Sequence, residues 1–439
     1  MARTGSQDDS VVEGVILVAT PALVRDFSPQ LGRASAMGFW TLGPVLGSLV
    51  LAVVSSNTLN HLTAWQDQFI ICGIVVLVVA AIAVIGLREL SPQLRDQLMV
   101  SLRDRALIEA RARGLNVAEL LRKPWRQMLH LDIIGSAFAI SVFLLIYYTA
   151  VGFFTVYFTT LHGFSLSTAN SIGNWFWAFD AAALIIIGII SDRVGVRKPF
   201  MVLGAVGAIT ATIIFLNLGK GTAYSTFAVV ISILAMFLAI AYAPWMASYT
   251  ETVEKHNPAL TATGLAIWGW IIRAVIAISF LIMPAVVSSM TPLVTYGSQV
   301  ATLSAKYSQE LATLNAIDPA TQAALAANPA NLVAGAKAVG EIATTFHIGP
   351  AAATARLLQV AKVPRSDLLF LKEHGTDVVN AAAAAPGQWK NWWWVCVAGE
   401  VVFIPLIFLM AGRWSPRRAR EDAEEHERLV QQELAALQS

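Results

Sequence analysis

Four ionisable residues interrupt apolar stretches of the sequence: Glu13, Asp180, Arg273 and Glu400. A charge at the centre of a membrane costs at least ~2.5 kcal/mol, and such residues therefore tend to face a bundle interior or a water-filled cavity. In that setting a charged side chain can bind a charged solute, carry a proton, or form an ion pair that holds two helices together. Each of the four is a candidate functional residue.

Asp180 and Arg273 are the best placed of these candidates. Asp180 precedes Asp192 by twelve residues on one apolar run, which is ~18 Å along a helix and near mid-membrane. Arg273 lies about as deep in its own run. The spacing fits a shared solute site and also a structural ion pair. Trp177 and Trp270 lie about one turn away, where rings can stack on a solute or cation, and ordinary packing explains them as well.

Glu13 and Glu400 are weaker candidates. Glu13 lies in the apolar run 11–24, whose fourteen residues are too short to cross a membrane. Glu400 lies on the last apolar run, where an interfacial or packing role is the favoured interpretation. Four tryptophans near the start of that run are interpreted as an interfacial belt: Trp389, Trp392, Trp393 and Trp394.

The elements that must position these residues are long apolar helices. The chain is 56% hydrophobic and 13% charged, with a mean hydropathy of +0.63, whereas soluble domains are about 25% charged. Runs long enough to span a bilayer lie at 36–56, 67–87, 131–158, 169–190, 199–217, 224–248, 262–286 and 392–412. The sequence predicts an all-α membrane protein.

A compact charged turn separates two of these runs, and its key residues are Gly188, Asp192, Arg193, Gly195, Arg197 and Lys198. Glycines permit close backbone approach and positive φ, the acid can face a helix N-terminus, and the bases hold the turn on the inner side. The stretch resembles the cytoplasmic-loop signature of the major facilitator superfamily (MFS), the secondary transporters of twelve membrane helices. The resemblance implies an MFS-type helical bundle in which this turn is a gating loop.

Two further segments carry the same resemblance. Residues 25–38 resemble the loop before the fifth MFS helix, and Gly43, Pro44 and Gly47 resemble the glycine–proline motif of that helix. In the family this motif is associated with proton-coupled efflux, although close packing and a kink at Pro44 explain the same residues. We therefore expect about eight full transmembrane helices plus one partial helix, with the chain starting within helix four and lacking helices one to three.

This assignment predicts six regions along the chain. They are a remnant of the N-terminal bundle at 1–87 (partial helix 4, helices 5–6), a basic cytoplasmic inter-domain loop at 88–130, C-terminal bundle helices 7–11 at 131–286, an extracytoplasmic Ala-rich helical insertion at 287–391, helix 12 at 392–412 and a cytoplasmic tail helix at 413–439. The insertion is interpreted as a cap or a partner-binding module. Proline residues, among them Pro319, Pro350, Pro364 and Pro386, are expected to punctuate its short helices.

Basic residues predict the orientation. The 88–130 connection and the tail after Gly412 are rich in Lys and Arg, whereas loops 57–66 and 159–168 hold none. By the positive-inside rule the basic regions and the C-terminus are cytoplasmic, in a plasma (inner) membrane.

The resemblance implies a secondary active transporter of a small solute, ion- or proton-coupled and working by alternating access. Efflux of a drug or metabolite competes with uptake of a small organic anion, which Arg273 favours. A truncated, non-transporting membrane remnant or scaffold is the alternative from another class. Expected partners are the bilayer, a small-molecule substrate and protons. Because phosphate loops, metal-ligand spacings and nucleophile elbows are absent from the sequence, we expect no enzyme activity, cofactor, metal or nucleic acid.

Overall fold

The computed structural model of the protein describes residues 20, 21, 24, 32–62, 64–86, 108 and 124–438. These residues form helices, and no β-strand occurs among them. Most of the predicted partial helix at 11–24, including Glu13, and most of the 88–130 connection lie outside the described residues.

The first nine helices are α1 (Arg33–Thr58), α2 (Trp65–Gly86), α3 (Pro124–Met128), α4 (Leu131–Phe143), α5 (Leu145–His162), α6 (Leu166–Val194), α7 (Lys198–Leu216), α8 (Tyr224–His256) and α9 (Thr261–Val286). The others are α10 (Met290–Thr295), α11 (Gly297–Lys306), α12 (Ser308–Asn315), α13 (Pro319–Ala327), α14 (Leu332–Phe346), α15 (Pro350–Val360), α16 (Arg365–Leu406) and α17 (Pro416–Gln438). Eight of the described helical segments, with α4 and α5 counted as one, are long and apolar enough to cross a membrane. All eight predicted spans are confirmed, and so is the all-α membrane fold.

The chain divides into two compact units, of which the first comprises Met1–Met283 and Lys390–Ser439. Helix α6 is at the centre of this unit, where it packs against α1 and α8, and α8 also packs against α7. Helix α1 belongs to the predicted N-terminal half, and α6 and α8 belong to the C-terminal half. The α1–α6 contact therefore joins the two halves.

Two glycines set the distance between α1 and α6. A Cβ atom added at Gly188 would lie 2.9 Å from the carbonyl oxygen of Ala34, and one at Gly38 would lie 2.9 Å from that of Leu184. Backbone atoms cannot move aside as a flexible side chain can, so both positions require glycine at this crossing. Gly188, which belongs to the predicted gating motif, lies within α6 and permits the close contact between α6 and α1.

One predicted span is interrupted. Helices α4 and α5 meet at Leu144, a single turn residue whose backbone N–H bonds to the carbonyl oxygen of Ile140 at 3.0 Å. No glycine or proline marks this position in the sequence, which explains why a continuous span was predicted at 131–158.

The last span also differs from its prediction. Helix α16 begins at Arg365 and continues through Pro386, which we expected to end a helix. A proline inside a long helix is tolerated where neighbouring groups satisfy the freed carbonyl. The prediction of an interfacial belt is corrected: Trp389, Trp392 and Trp393 are buried in the protein, and only Trp394 of the four is exposed.

The second unit is Pro284–Trp389 and is helical, as expected for the 287–391 segment. Its short helices pack around two small apolar clusters, one formed by Ile317, Ala338, Ile342 and Ala353 and the other by Leu303, Tyr307 and Val363. Pro319 and Pro350 start α13 and α15 at the first helical positions, where proline is favoured. Whether this unit lies on the extracytoplasmic side stays a prediction.

Candidate functional site

A cavity of about 120 Å³ lies between α1 and the helices of the C-terminal half. Its wall includes both mid-membrane charges that the sequence singled out, Asp180 on α6 and Arg273 on α9. We call this the central cavity. An apolar pocket with a few convergent polar groups is the usual form of a small-molecule site.

The two charges reach the central cavity in different ways. Asp180 is only 3% exposed, and no hydrogen bond or ion pair engages its carboxylate within the described residues. The guanidinium of Arg273 turns back along its own helix, where Nη1 donates to the carbonyl oxygen of Gly269 at 3.0 Å. The described part of the chain shows no ion pair between Asp180 and Arg273, so the carboxylate faces the cavity unneutralised by that arginine.

Aromatic side chains that we did not single out form much of the remaining wall. They are Trp40 on α1, Tyr147 and Tyr148 on α5, and Tyr242 on α8. Trp268 on α9 completes this set. The faces of such rings attract cations, and their apolar area favours aromatic or aliphatic groups. The sequence shows these rings but not that four helices bring them together.

The other predicted site residues are distributed around this cavity. Pro44 lines it, whereas Trp177 lines a separate, second cavity. Trp270 is 72% exposed and lies outside both. Gly43 and Gly47 are exposed, and a Cβ atom at either would meet nothing within 4 Å among the described residues. Close packing at these two glycines is thus not observed in the part of the chain described.

Asp192 ties the end of α6 to the start of α1. Its Oδ2 accepts from the Ser35 backbone N–H at 2.7 Å and from the Ser35 hydroxyl at 2.6 Å, and its Oδ1 accepts from the Ala34 N–H at 3.1 Å. These N–H groups belong to the first turn of α1, which carries partial positive charge and lacks partners within its own helix. The carboxylate therefore caps a helix from the opposite half, in the way its position in the turn suggested.

Three ion pairs reinforce this end of the bundle. Arg197 Nη1 donates to Asp192 Oδ1 at 2.7 Å, and its Nε lies 3.6 Å from Oε1 of Glu251 on α8. Arg33 Nη1, at the start of α1, lies 2.9 Å from Oε1 of Glu254, with both side chains almost fully buried. Together with the Asp192 contacts, these pairs form what we call the charged lock.

The remaining residues of the turn have separate places. Gly195 ends α6 with φ +75°, a left-handed conformation that suits glycine, and its N–H bonds to the Ser191 carbonyl oxygen at 2.9 Å. Lys198 is buried with its Nζ 5.9 Å from the centre of the Trp414 ring. Arg193 is exposed and makes none of the charged-lock contacts.

The opposite ends of α1 and α6 are joined by neutral groups. Ser167 donates to the Ser56 carbonyl oxygen at 2.5 Å, Asn60 donates to the Ser167 hydroxyl at 3.2 Å, and Asn174 donates to the Ser56 hydroxyl at 3.0 Å. Hydrogen bonds between neutral groups are weaker than those of ionised pairs. The two ends of the α1–α6 contact therefore differ in kind.

Glu400 lies away from the central cavity. It is fully buried on α16, where its Oε1 accepts from the Thr212 hydroxyl of α7 at 2.8 Å. Its Oε2 has no hydrogen-bond partner in the described structure. This placement agrees with the packing interpretation of Glu400.

Sequence reasoning missed Glu251 and Glu254, and a signal for them existed. Two acids three residues apart stand at the end of α8 that lies next to the basic turn. Because the positive-inside rule predicts basic residues there, acids at that position indicate specific partners.

Among the described residues, no group of three or more His, Cys, Asp or Glu side chains could hold a metal ion. The two cysteines, Cys72 and Cys396, are free.

Eight helical segments in the described part of the chain are long and apolar enough to cross a membrane, and five of them line the partly polar central cavity, which is the architecture of a multi-pass membrane protein. A comparison with protein families matches residues 10–280 to the Major Facilitator Superfamily. The match covers more than half of the chain, and the chain therefore belongs to this family of membrane transporters of small solutes. No curated protein matches the chain.

Proposed function

We propose that the protein is a secondary active transporter that moves a small solute by alternating access around the central cavity. The observation that carries this proposal is the position of Asp180 and Arg273 on one cavity between the two helical halves. A site at the interface of two halves can be exposed to either side by rocking of one half against the other.

The charged lock supplies the gate in this proposal. It joins α1 to α6 and α8 beyond the Asp192 end of the central cavity. For the cavity to open toward that end, the Asp192 carboxylate must leave the first turn of α1, and the Arg33–Glu254 pair must separate. The structure then corresponds to a state that is closed at the Asp192 end, which we place on the cytoplasmic side.

We further propose that Asp180 is the coupling residue and carries a proton. Its carboxylate is buried, borders the cavity and has no charged partner in the described residues. A carboxyl group in that position is costly when ionised and is neutralised by a proton or by a cationic solute. Competition between the two for one carboxylate would link solute movement to the proton gradient.

The cavity wall favours an amphipathic solute over a small organic anion. Aromatic rings and an unpaired carboxylate suit a cationic or zwitterionic group with an apolar body. Arg273 is the observation on the other side, since a guanidinium binds carboxylates well. Efflux of an amphipathic metabolite or drug is the direction we propose, because Pro44 of the efflux-associated motif lines the same cavity.

The experiment is a thermal-stability screen of the purified protein against cationic, zwitterionic, anionic and neutral organic solutes. Stabilising solutes are then tested for flux in proteoliposomes with and without a pH gradient. We expect amphipathic cations or zwitterions to stabilise the protein and to move only when a gradient is imposed. Stabilisation by carboxylates alone would favour uptake of an organic anion, and solute binding without any flux would favour the scaffold alternative.

A further inference from the structure

A second cavity, of about 90 Å³, is lined by α1, α5 and α6, three helices that also line the central cavity. Its lining includes Ser48, Ala52, Thr155, Asn170, Gly173 and Trp177. Nothing in the family match or in the function proposed above assigns a role to this space.

The second cavity continues the central cavity along each helix. On α1 the lining moves from Pro44 to Ser48 and Ala52, and on α6 from Asp180 to Trp177 and Gly173. On α5 it moves from the residues at 147 and 148 to those at 150–155. All three shifts lead away from Asp192. The second cavity therefore lies on the side of the central cavity opposite the charged lock.

Two aromatic rings stand between the cavities. Tyr147 lines the central cavity and Trp177 lines the second one, and their ring centres are 5.3 Å apart at an interplanar angle of 82°. Phe176 lies edge-on to Trp177, with ring centres 4.7 Å apart. Edge-to-face contacts of this kind are weak individually, about 0.5–1.5 kcal/mol. A side-chain rotation can break them without moving a helix.

The chemistry of the second cavity differs from that of the central one. Of the described residues, no charged one lines it, and the polar side chains among them are neutral. The Thr155 hydroxyl donates to Asn170 Oδ1 at 3.4 Å, and Asn170 Nδ2 donates to the Leu166 carbonyl oxygen at 2.8 Å, so both polar side chains already have a partner. Gly173 lies beside the indole ring, since a Cβ atom there would be 3.7 Å from Trp177 Nε1.

From these observations we propose that the second cavity is an outer subsite for the uncharged aromatic or branched aliphatic part of the solute, and that the Tyr147–Trp177 contact is the partition separating it from the charged central cavity. The charged group of the solute crosses this partition to reach Asp180, while the charged lock keeps the other end closed. The identity of the solute that crosses the partition rests on the proposed function. The existence of the partition is tested without any transport measurement.

The test uses single cysteines in a Cys72→Ser background, because the remaining native Cys396 is fully buried. Thr155→Cys reports on the second cavity and Thr41→Cys on the central one. The purified protein, reconstituted in vesicles, is treated on each side in turn with a membrane-impermeant, negatively charged methanethiosulfonate. We expect Thr155→Cys to react from one side and Thr41→Cys to be protected from that same side.

Adding Trp177→Ala should then expose Thr41→Cys. If the open partition is a minor state of at most about 10%, removing the indole should accelerate its labelling at least about ten-fold. Tyr147→Ala should act in the same direction and serves as a second variant should Trp177→Ala fail to fold. Phe179→Ala is the matched control, since this exposed ring on α6 lines neither cavity. Equal labelling of Thr41→Cys with and without both rings would overturn the partition.

The class of ligand is tested by protecting Thr155→Cys with two cations of equal charge. Tetraphenylphosphonium, which carries aromatic rings, should slow the labelling, and tetramethylammonium should not. If neither slows it, or if only added long-chain phospholipid does, the second cavity is not a subsite for the solute. Either failure leaves the flux experiments on Asp180 unaffected, so that the subsite and the proposed function can fail separately.

Discussion

Asp180 and Arg273 border one cavity, and we predict that they act independently. Because Arg273 donates to its own helix and the described residues show no ion pair between it and Asp180, the Asp180→Asn, Arg273→Gln double variant should be no more stable than either single variant. Each single variant should lose flux, and Asp180→Asn should also flatten the pH dependence of solute binding, since an amide does not titrate. A double-mutant cycle, measured by thermal melting in detergent and by binding across a range of pH, checks both statements.

The contrary outcome has a clear signature. If the double variant is more stable than either single variant, each charge was neutralising the other, because removal of one partner strands a buried charge. That result would assign the pair a structural role and remove Asp180 as the coupling residue.

Asp192 is predicted to matter for stability as well as for gating. Asp192→Asn exchanges one carboxylate oxygen for an N–H₂ group that cannot accept from α1, and it weakens the pair with Arg197. Loss of a helix cap of this kind costs about 1–2 kcal/mol. We expect a lower melting temperature and loss of flux with normal membrane insertion. The neighbouring Arg193→Gln is the control, and since Arg193 is exposed its effect should stay within about 0.5 kcal/mol. Wild-type flux in Asp192→Asn would show that the charged lock is not the gate.

At the scale of elements, the crossing of α1 and α6 should tolerate no side chain at its two glycines. Gly188→Ala and Gly38→Ala each place a Cβ atom 2.9 Å from a backbone oxygen of the facing helix. We expect each to destabilise the protein by about 1–3 kcal/mol, as overpacking does. Gly43→Ala on the same helix meets nothing within 4 Å in the described structure and should be neutral or slightly stabilising. Similar melting temperatures for all three variants would mean that the halves do not approach this closely.

The α7–α16 contact gives a second prediction at this scale. Glu400→Gln keeps an oxygen that accepts from Thr212 and removes a buried charge, so its unfolding free energy should lie within about 1 kcal/mol of the wild-type value. Glu400→Ala leaves a cavity and an unpaired hydroxyl, and it should cost about 2–4 kcal/mol. Flux should be unchanged in Glu400→Gln. A stable Glu400→Gln protein without flux would instead give this carboxyl a role in transport.

For the molecule as a whole, local patterns predicted the elements well and the contacts poorly. Runs of apolar residues located all eight spans because a bilayer requires about twenty of them in a row. The break at Leu144 and the passage of α16 through Pro386 depend on packing against other helices, which leaves no local sign.

The same limit applies to the site. Asp180 and Arg273 were found because a charge is conspicuous in an apolar run, whereas Tyr147 and Tyr242 were not, because a tyrosine there is ordinary. Arg33 and Glu254, which pair with each other in the charged lock, are separated by 221 residues in the sequence. Only the fold shows that they meet.

The two ends of the α1–α6 contact are held by different kinds of interaction. One end of the α1–α6 contact is held by buried ion pairs and a capped helix, and the other end by neutral serine and asparagine groups. Between them lie a charged cavity and an uncharged one. We expect opening at the neutral end to require less free energy than opening at the charged end, because hydrogen bonds between neutral groups are weaker than those of ionised pairs. We propose that a solute bound at Asp180 weakens the charged lock during transport.

The central claim is that a solute bound at the Asp180 cavity crosses the membrane when a gradient drives it. The most direct test is flux, in proteoliposomes, of a solute that stabilises the purified protein. We predict saturable flux that depends on an imposed pH gradient, falls to the level of empty liposomes in Asp180→Asn, and persists in the control variant Arg193→Gln. Binding of the solute with no flux above empty liposomes under any gradient, or full flux in Asp180→Asn, would contradict the account.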